Sequence, residues 1–183
     1  MALEQWNIDP VHSGIQFVVR HMVVSKVRGS FTRFGGSILV DEDDPAASSV
    51  EVRVEAASVD TREPKRDSHL RSADFFDVEK YPEIVFRSTE VEPGDGPTMR
   101  IRGDLTLHGV TRPVTLEAEG LGREKDPWGG ERAGFSARAS INRRDFGLEW
   151  NQVLESGGVV VGEKIELELE VEAVKAQPAA VAA

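Results

Sequence analysis

Ile165-Glu166-Leu167-Glu168-Leu169-Glu170-Val171-Glu172-Ala173 alternates apolar and acidic residues without exception. A repeat of two sends successive side chains to opposite pleat faces, so this stretch reads as a β-strand with one dry side and one wet side. The same alternation recurs over residues 50–56, 101–107, 114–120 and 135–141, and less strictly over 15–19 and 83–86. Residues 29–40 read as a further strand whose glycines mark a bulge or sharp coil. Pro93-Gly94-Asp95-Gly96-Pro97, His108-Gly109-Val110-Thr111 and Asp126-Pro127-Trp128-Gly129-Gly130 separate these strands at hairpin distances, which predicts an antiparallel meander of about eight strands. Open edges on so many one-sided strands would template aggregation, and closure into a barrel removes them. The expected fold is all-β: an eight-stranded antiparallel barrel, about 33 Å long if its strands average about ten residues.

One segment breaks the alternation. Residues 62–76 predict a short helical excursion, with Thr61 placed to cap it and Pro64 in its first turn. The inward-facing candidates mix large groups (Phe17, Phe31, Phe86, Phe135) with small ones (Gly103, Ala118, Gly120, Ala137, Ala139), and small residues on an inward face leave space. Phe75-Phe76, two adjacent aromatics on a non-strand segment, suggest a cap for that space.

Composition narrows the chemistry. The chain of 183 residues is sized for one domain, expected over 1–175, with 176–183 a flexible C-terminal tail lacking large side chains. A formal charge of −10 repels phosphate backbones, so nucleic acid is not an expected partner. With no cysteine there is no disulfide, thiolate metal site or cysteine nucleophile. The first residues carry no basic and apolar leader pattern, which predicts a cytoplasmic protein. The longest apolar run, Ala179 to Ala183, is far short of the about 18 residues a membrane-spanning helix needs.

Catalytic and cofactor motifs are missing: no Gly-x-Ser-x-Gly elbow, phosphate loop, His-Glu-x-x-His or dinucleotide fingerprint. Asp145-Phe146-Gly147 matches a kinase tripeptide by letters alone, and Asp67-Ser68-His69 has triad letters without the geometry that sequence neighbours cannot supply. His12, His21, His69 and His108 are too scattered to show metal spacing. His12 and His21, nine apart, face opposite sides of a strand unless a bulge intervenes. Neither a metal, a cofactor nor an enzymatic activity is expected.

Several blocks carry a resemblance. Trp6-x-Ile8-Asp9-x-x-His12-Ser13-x-Ile15-x-Phe17, Val27-Arg28-Gly29-x-Phe31, and Arg66-Asp67-x-His69-Leu70-x-Ser72-x-Asp74-Phe75-Phe76-Asp77 resemble the YceI-like polyisoprenoid-binding family. So do Tyr81-Pro82-x-Ile84-x-Phe86, the stretch Gly103-Asp104-Leu105-Thr106-Leu107-His108-Gly109-Val110-Thr111, and Ile141-Asn142-Arg143-x-Asp145-Phe146-Gly147-Leu148. The blocks run in family order from Trp6 to about Val174. The resemblance implies an extended, lipocalin-like barrel around an apolar channel, holding a polyprenyl or quinone-like lipid for storage or transport without catalysis. Many members are periplasmic in bacteria, whereas this chain resembles the leaderless, cytoplasmic ones.

On this reading the channel is lined by Ile15, Phe17, Val19, Phe31, Phe34, Ile38, Val52, Val54, Phe75, Phe76, Ile84, Phe86, Ile101, Leu105, Leu107, Phe135, Ala137, Ala139, Ile141, Phe146 and Trp150. A polar mouth is assigned to His12, His21, Arg66, His69 and Arg143, with Arg143 as readily an ion-pair partner of Asp145 or another carboxylate. Each isoprene unit buried contributes up to roughly 4 kcal/mol, at about 0.8 kcal/mol per carbon, before ordering and association costs. The ligand that the resemblance implies is an isoprenoid or other long-chain amphiphile, and the protein is not expected to span membranes. A homodimer fits the family type, although the sequence shows no interface. Two alternatives stay open: an enzyme acting on such a lipid through His69 or His12, and a packed-core stress or interaction module.

Overall fold

The computed structural model describes residues 3–152, 154–156 and 158–177. One sheet contains β1 (Glu4–Ile8), β2 (Gly14–His21), β3 (Ser25–Phe31), β4 (Phe34–Val40), β5 (Ser49–Glu55), β6 (Val59–Asp60), β7 (Glu83–Pro93), β8 (Thr98–Leu107), β9 (Val110–Lys125), β10 (Glu131–Asn142) and β11 (Val161–Lys175). These segments reduce to eight courses of chain. β1 and β2 lie along the same edge of β11, β4 and β3 lie along them in turn, and β5 and β6 lie along β4 and β3. Each pair is therefore one strand interrupted by a few residues. From there β5, β7, β8, β9, β10 and β11 follow in chain order, and the return of β11 to β1 and β2 closes a wholly antiparallel eight-course barrel. Closure pairs the long edges that an open sheet would expose, while the two-residue β6 keeps one side without a strand partner among the described residues.

The interruptions have local causes. At residues 9–13, Pro10 cannot donate to a ladder. Asp9 N donates to Glu172 O at 2.8 Å, while Ser13 Oγ accepts from Glu172 N at 2.9 Å and donates to Glu172 O at 3.2 Å, so a hydroxyl replaces ladder bonds. In β9, Leu121 is the extra residue of a bulge, and Gly122 takes a φ of 126°. The two-residue turn between β8 and β9, His108 (φ 56°) and Gly109 (φ 70°), has positive φ at both positions, as a type I′ hairpin requires. β9 has 16 residues, about 54 Å of extended chain, longer than the ten-residue strands expected.

The helical excursion is shorter than the sequence suggests and capped differently. α1 spans Pro64–Arg71, and Glu63, not Thr61, is its N-cap, accepting from Arg66 N at 2.6 Å. Thr61 is buried, and its N and Oγ1 donate to Asp67 Oδ1 at 2.9 and 2.5 Å. The carboxylate reaches back from the first turn to the chain before it, the reverse of the expected cap. No helix among the described residues is long and apolar enough to cross a membrane. Of the expected tail, Ala176 N still donates to Gln5 O at 2.8 Å, and residues 178–183 lie outside those described.

Inward pleat positions from every course form the main apolar cluster, and a second groups Trp6 with Ala133 and Ala173. Phe17 and Phe86 lie flat over neighbouring strands. A Cβ on Gly29 would sit 2.2 Å from the Phe17 ring, and one on Gly103 would sit 2.5 Å from that of Phe86. These rings hug the wall only because glycine lies beneath them.

Candidate ligand channel

The inner faces do not meet. They enclose a cavity of about 700 Å³, within the range of roughly 300–1,000 Å³ usual for ligand pockets. Pleat parity decides the wall. Ile15, Phe17 and Val19 of β2, Phe31, Ile38, Val52 and Val54, then Ile84, Phe86, Ile101, Leu105 and Leu107, and finally Phe135, Ala137 and Ile141 of β10 all line it. Phe75 and Phe76 both close one end: Phe76 meets Phe31 edge-on at 5.8 Å, and Phe75 leans on Trp150 at 5.4 Å.

Four expected wall residues do not reach the cavity. Phe34 follows the break at Thr32 and Arg33 and packs into the core cluster without facing the void. Ala139 shares the inward face, but its methyl is outreached by its ladder partner Leu167. Phe146, 1% exposed, is buried in the 3-10 turn Arg143–Phe146 that plugs the end. Trp150 stacks behind the plug, its ring 4.6 Å from His69. Conversely, Ile165, Leu167, Leu169 and Val171 of β11 line the cavity. Their strict alternation marks them as one pleat face in the sequence, but the expected lining does not include them. Val114 and Leu116 of β9 and Leu148 are likewise lining residues omitted from that set.

The two ends differ. At the end carrying α1 and residues 143–150, the lining residues Leu70, Phe75, Phe76, Arg143, Leu148 and Val161 are all buried or half-buried. At the other end Glu42, Pro45, Gly96, Pro97, Thr98 and Arg123 line the cavity and are exposed, so the mouth lies there, between the 41–48 and 94–97 connections. Arg123 dominates it: the guanidinium bonds Glu131 at 2.8 Å, reaches Glu42, approaches Glu4 at 3.4 Å and lies 4.8 Å above the Trp6 ring. The bond that Arg123 donates to Glu131, followed by the charges of Glu4, Glu42 and Glu131, raises the Arg123 pKa.

The expected polar mouth is corrected accordingly. None of His12, His21, Arg66 and His69 lines the cavity. Arg66 is turned to Thr61, with Nε on Oγ1 and Nη2 on the carbonyl, both at 2.7 Å. His69 Nε2 meets Asp74 at 2.9 Å behind Phe75. His21 ends β2 opposite Ser25 and Val161. Arg143 does line the cavity, but at the closed end, and it pairs with no carboxylate among the described residues.

His12 stands on the outside, in the strand interruption. Its Nδ1 is 2.7 Å from Asp9 and 3.3 Å from Glu172, and these three groups converge closely enough to ligate an ion. Arg132 already occupies that role, with Nη1 at 3.0 Å from both carboxylates. The bond from His12, then those from Arg132 and Val11 N, hold the Asp9 pKa at about 2 against an ordinary 3.8. A value depressed by folding contributes stability that is complete above pH 3.8 and lost as pH falls toward 2. Asp9→Asn is therefore expected to cost about 1–2 kcal/mol at pH 6, with the difference from wild type vanishing near pH 2. Thermal melts of both proteins across that range check it; a constant difference would refute it.

A YceI-like domain model matches residues 6–173. Protein YceI of Escherichia coli is 48% identical over 138 residues, 75% of this chain and 72% of that protein. Burkholderia cenocepacia BcnA superposes with a TM-score of 0.80 at 19% identity, covering 90% of this chain and 98% of BcnA. A polyisoprenoid binding domain from Saccharophagus degradans superposes with a TM-score of 0.64 at 16% identity, covering 93% and 98%. With an eight-course barrel, a wall built from the quoted blocks and a model match over nearly its full length, the chain belongs to the YceI-like family.

Proposed function

We propose that the protein binds one long-chain isoprenoid lipid inside its barrel and stores or carries it without chemical change. The observation that carries this reading is the apolar cavity of about 700 Å³ running from the plug to the mouth. If a chain carbon needs about the room of a water molecule, roughly 30 Å³, the void accepts on the order of twenty carbons, or about four isoprene units. Burial without directional bonds selects width and length over identity, which suits a repeating hydrocarbon. The Saccharophagus degradans domain, of the same fold, is a polyisoprenoid binder and supports that choice of ligand. The enzyme alternative is disfavoured because its acid–base candidates, His12 and His69, lie outside the cavity wall.

Organic extraction of the purified protein followed by mass spectrometry is expected to recover a polyprenyl-chain lipid near one per protein. Failing that, the empty protein takes up added C20 isoprenoid. A lipid-free barrel that also refuses the added chain would overturn the proposal.

A further inference from the structure

Among the described residues, Arg143 is the one Lys or Arg that is buried. It is 3% exposed and lines the closed end of the cavity, where its lining neighbours Leu70, Phe75, Phe76, Leu148 and Val161 are all apolar. Nε donates to Gly162 O at 2.8 Å, Nη1 to Leu148 O at 2.6 Å and Trp150 O at 2.9 Å, and Nη2 to Val161 O at 3.3 Å. A guanidinium has five N–H bonds, so one on Nη2 has no acceptor among the described residues. Carbonyl dipoles satisfy hydrogen bonds but do not neutralise a charge. Glu163 attracts the group only from a distance and is itself paired with Arg144 at 3.0 Å. Loss of solvent accordingly pushes the Arg143 pKa down. The charge balance is reversed at the mouth, where Glu4, Glu42 and Glu131 pair with Arg123 and Lys175 and Asp41 adds a further carboxylate to the lining, an arrangement that repels an anion.

We infer that the ligand lies head inward: a long-chain acid whose carboxylate meets the free Arg143 N–H at the closed end while its tail runs toward the mouth. One unmatched positive charge and one spare N–H suit a monoanion, and a planar carboxylate supplies both the charge and the acceptor. This rests on the channel being a lipid site and adds the head group and its direction.

Two measurements test it. Wild-type protein is expected to bind phytanic acid at least about tenfold more tightly than its methyl ester. In Arg143→Gln the two should bind within about twofold of each other. Because Arg143 also ties four carbonyls, the second measurement leaves it intact. In Trp128→Phe/Trp150→Phe, the remaining Trp6 lies at the mouth end, so 16-doxyl-stearate should quench its fluorescence more strongly than 5-doxyl-stearate. Equal affinity for acid and ester, or stronger quenching by the 5-doxyl probe, overturns the inward head and leaves the channel standing. Failure of acid, ester and both probes to bind removes the channel reading itself.

Discussion

Ala137→Phe is expected to lower affinity for a C20 isoprenoid at least about 100-fold while leaving the barrel folded. Ala137 faces the cavity from β10, opposite Ala118 of β9 and Leu169 of β11, all three being lining residues. A benzyl group there enters open space instead of a packed neighbour, so the usual overpacking cost of about 1–3 kcal/mol does not arise. The ligand bears the loss. Each carbon kept out of the tube forfeits up to about 0.8 kcal/mol, and excluding a single isoprene unit already exceeds the ~2.7 kcal/mol of a 100-fold change. Ala139→Phe supplies the contrast, because Ala139 packs in the core without touching the void. It should lower stability by about 1–3 kcal/mol. Displacement of a fluorescent fatty acid, paired with thermal melts, separates the two outcomes. Undiminished binding in Ala137→Phe would mean that the inner face has been assigned wrongly.

Parity made the wall legible. Where alternation is strict, as in β11, β9 and β10, each inward residue can be named from sequence, because a strand has only two faces. β1 escaped notice because Glu4-Gln5-Trp6-Asn7-Ile8 offers only two apolar residues, and their partners lie at the far end of the chain in β11. Parity says which side a residue faces but not how far along the axis it sits. Phe146 and Trp150 therefore read as wall although they belong to the plug. The mouth was the least legible feature, since it forms where residues distant in sequence meet, as Arg123 and Glu42 do. Arg66 and His69 looked like its donors because they ride the one helical segment, but that segment closes the opposite end and spends both on local partners, Thr61 and Asp74.

Trp6→Ala should destabilise the protein by about 3–5 kcal/mol, the range for truncating a buried Trp, and so lower Tm by roughly 6–20 °C for a chain of this size. Trp6 is 1% exposed and packs with Ala133 and Ala173, two residues whose smallness makes room for the indole. It also fastens the closure of the ring: β1 joins β11 to β4, and Trp6 sits at that seam, paired with Lys175 on one side and Ile38 on the other. Neither alanine neighbour can grow into the gap, so collapse does not relieve the loss. Continuity with the mouth works the other way, because Trp6 lines the cavity and solvent can enter the space left behind, which places the effect toward the lower end of the range. Trp128, 82% exposed on the β9–β10 turn, provides the reference, and Trp128→Ala should change stability by less than about 0.5 kcal/mol. Chemical denaturation of the two variants decides the matter. Equal, small effects would mean that the β1 seam contributes little to closure and that the barrel is closed by the pairing of β2 with β11.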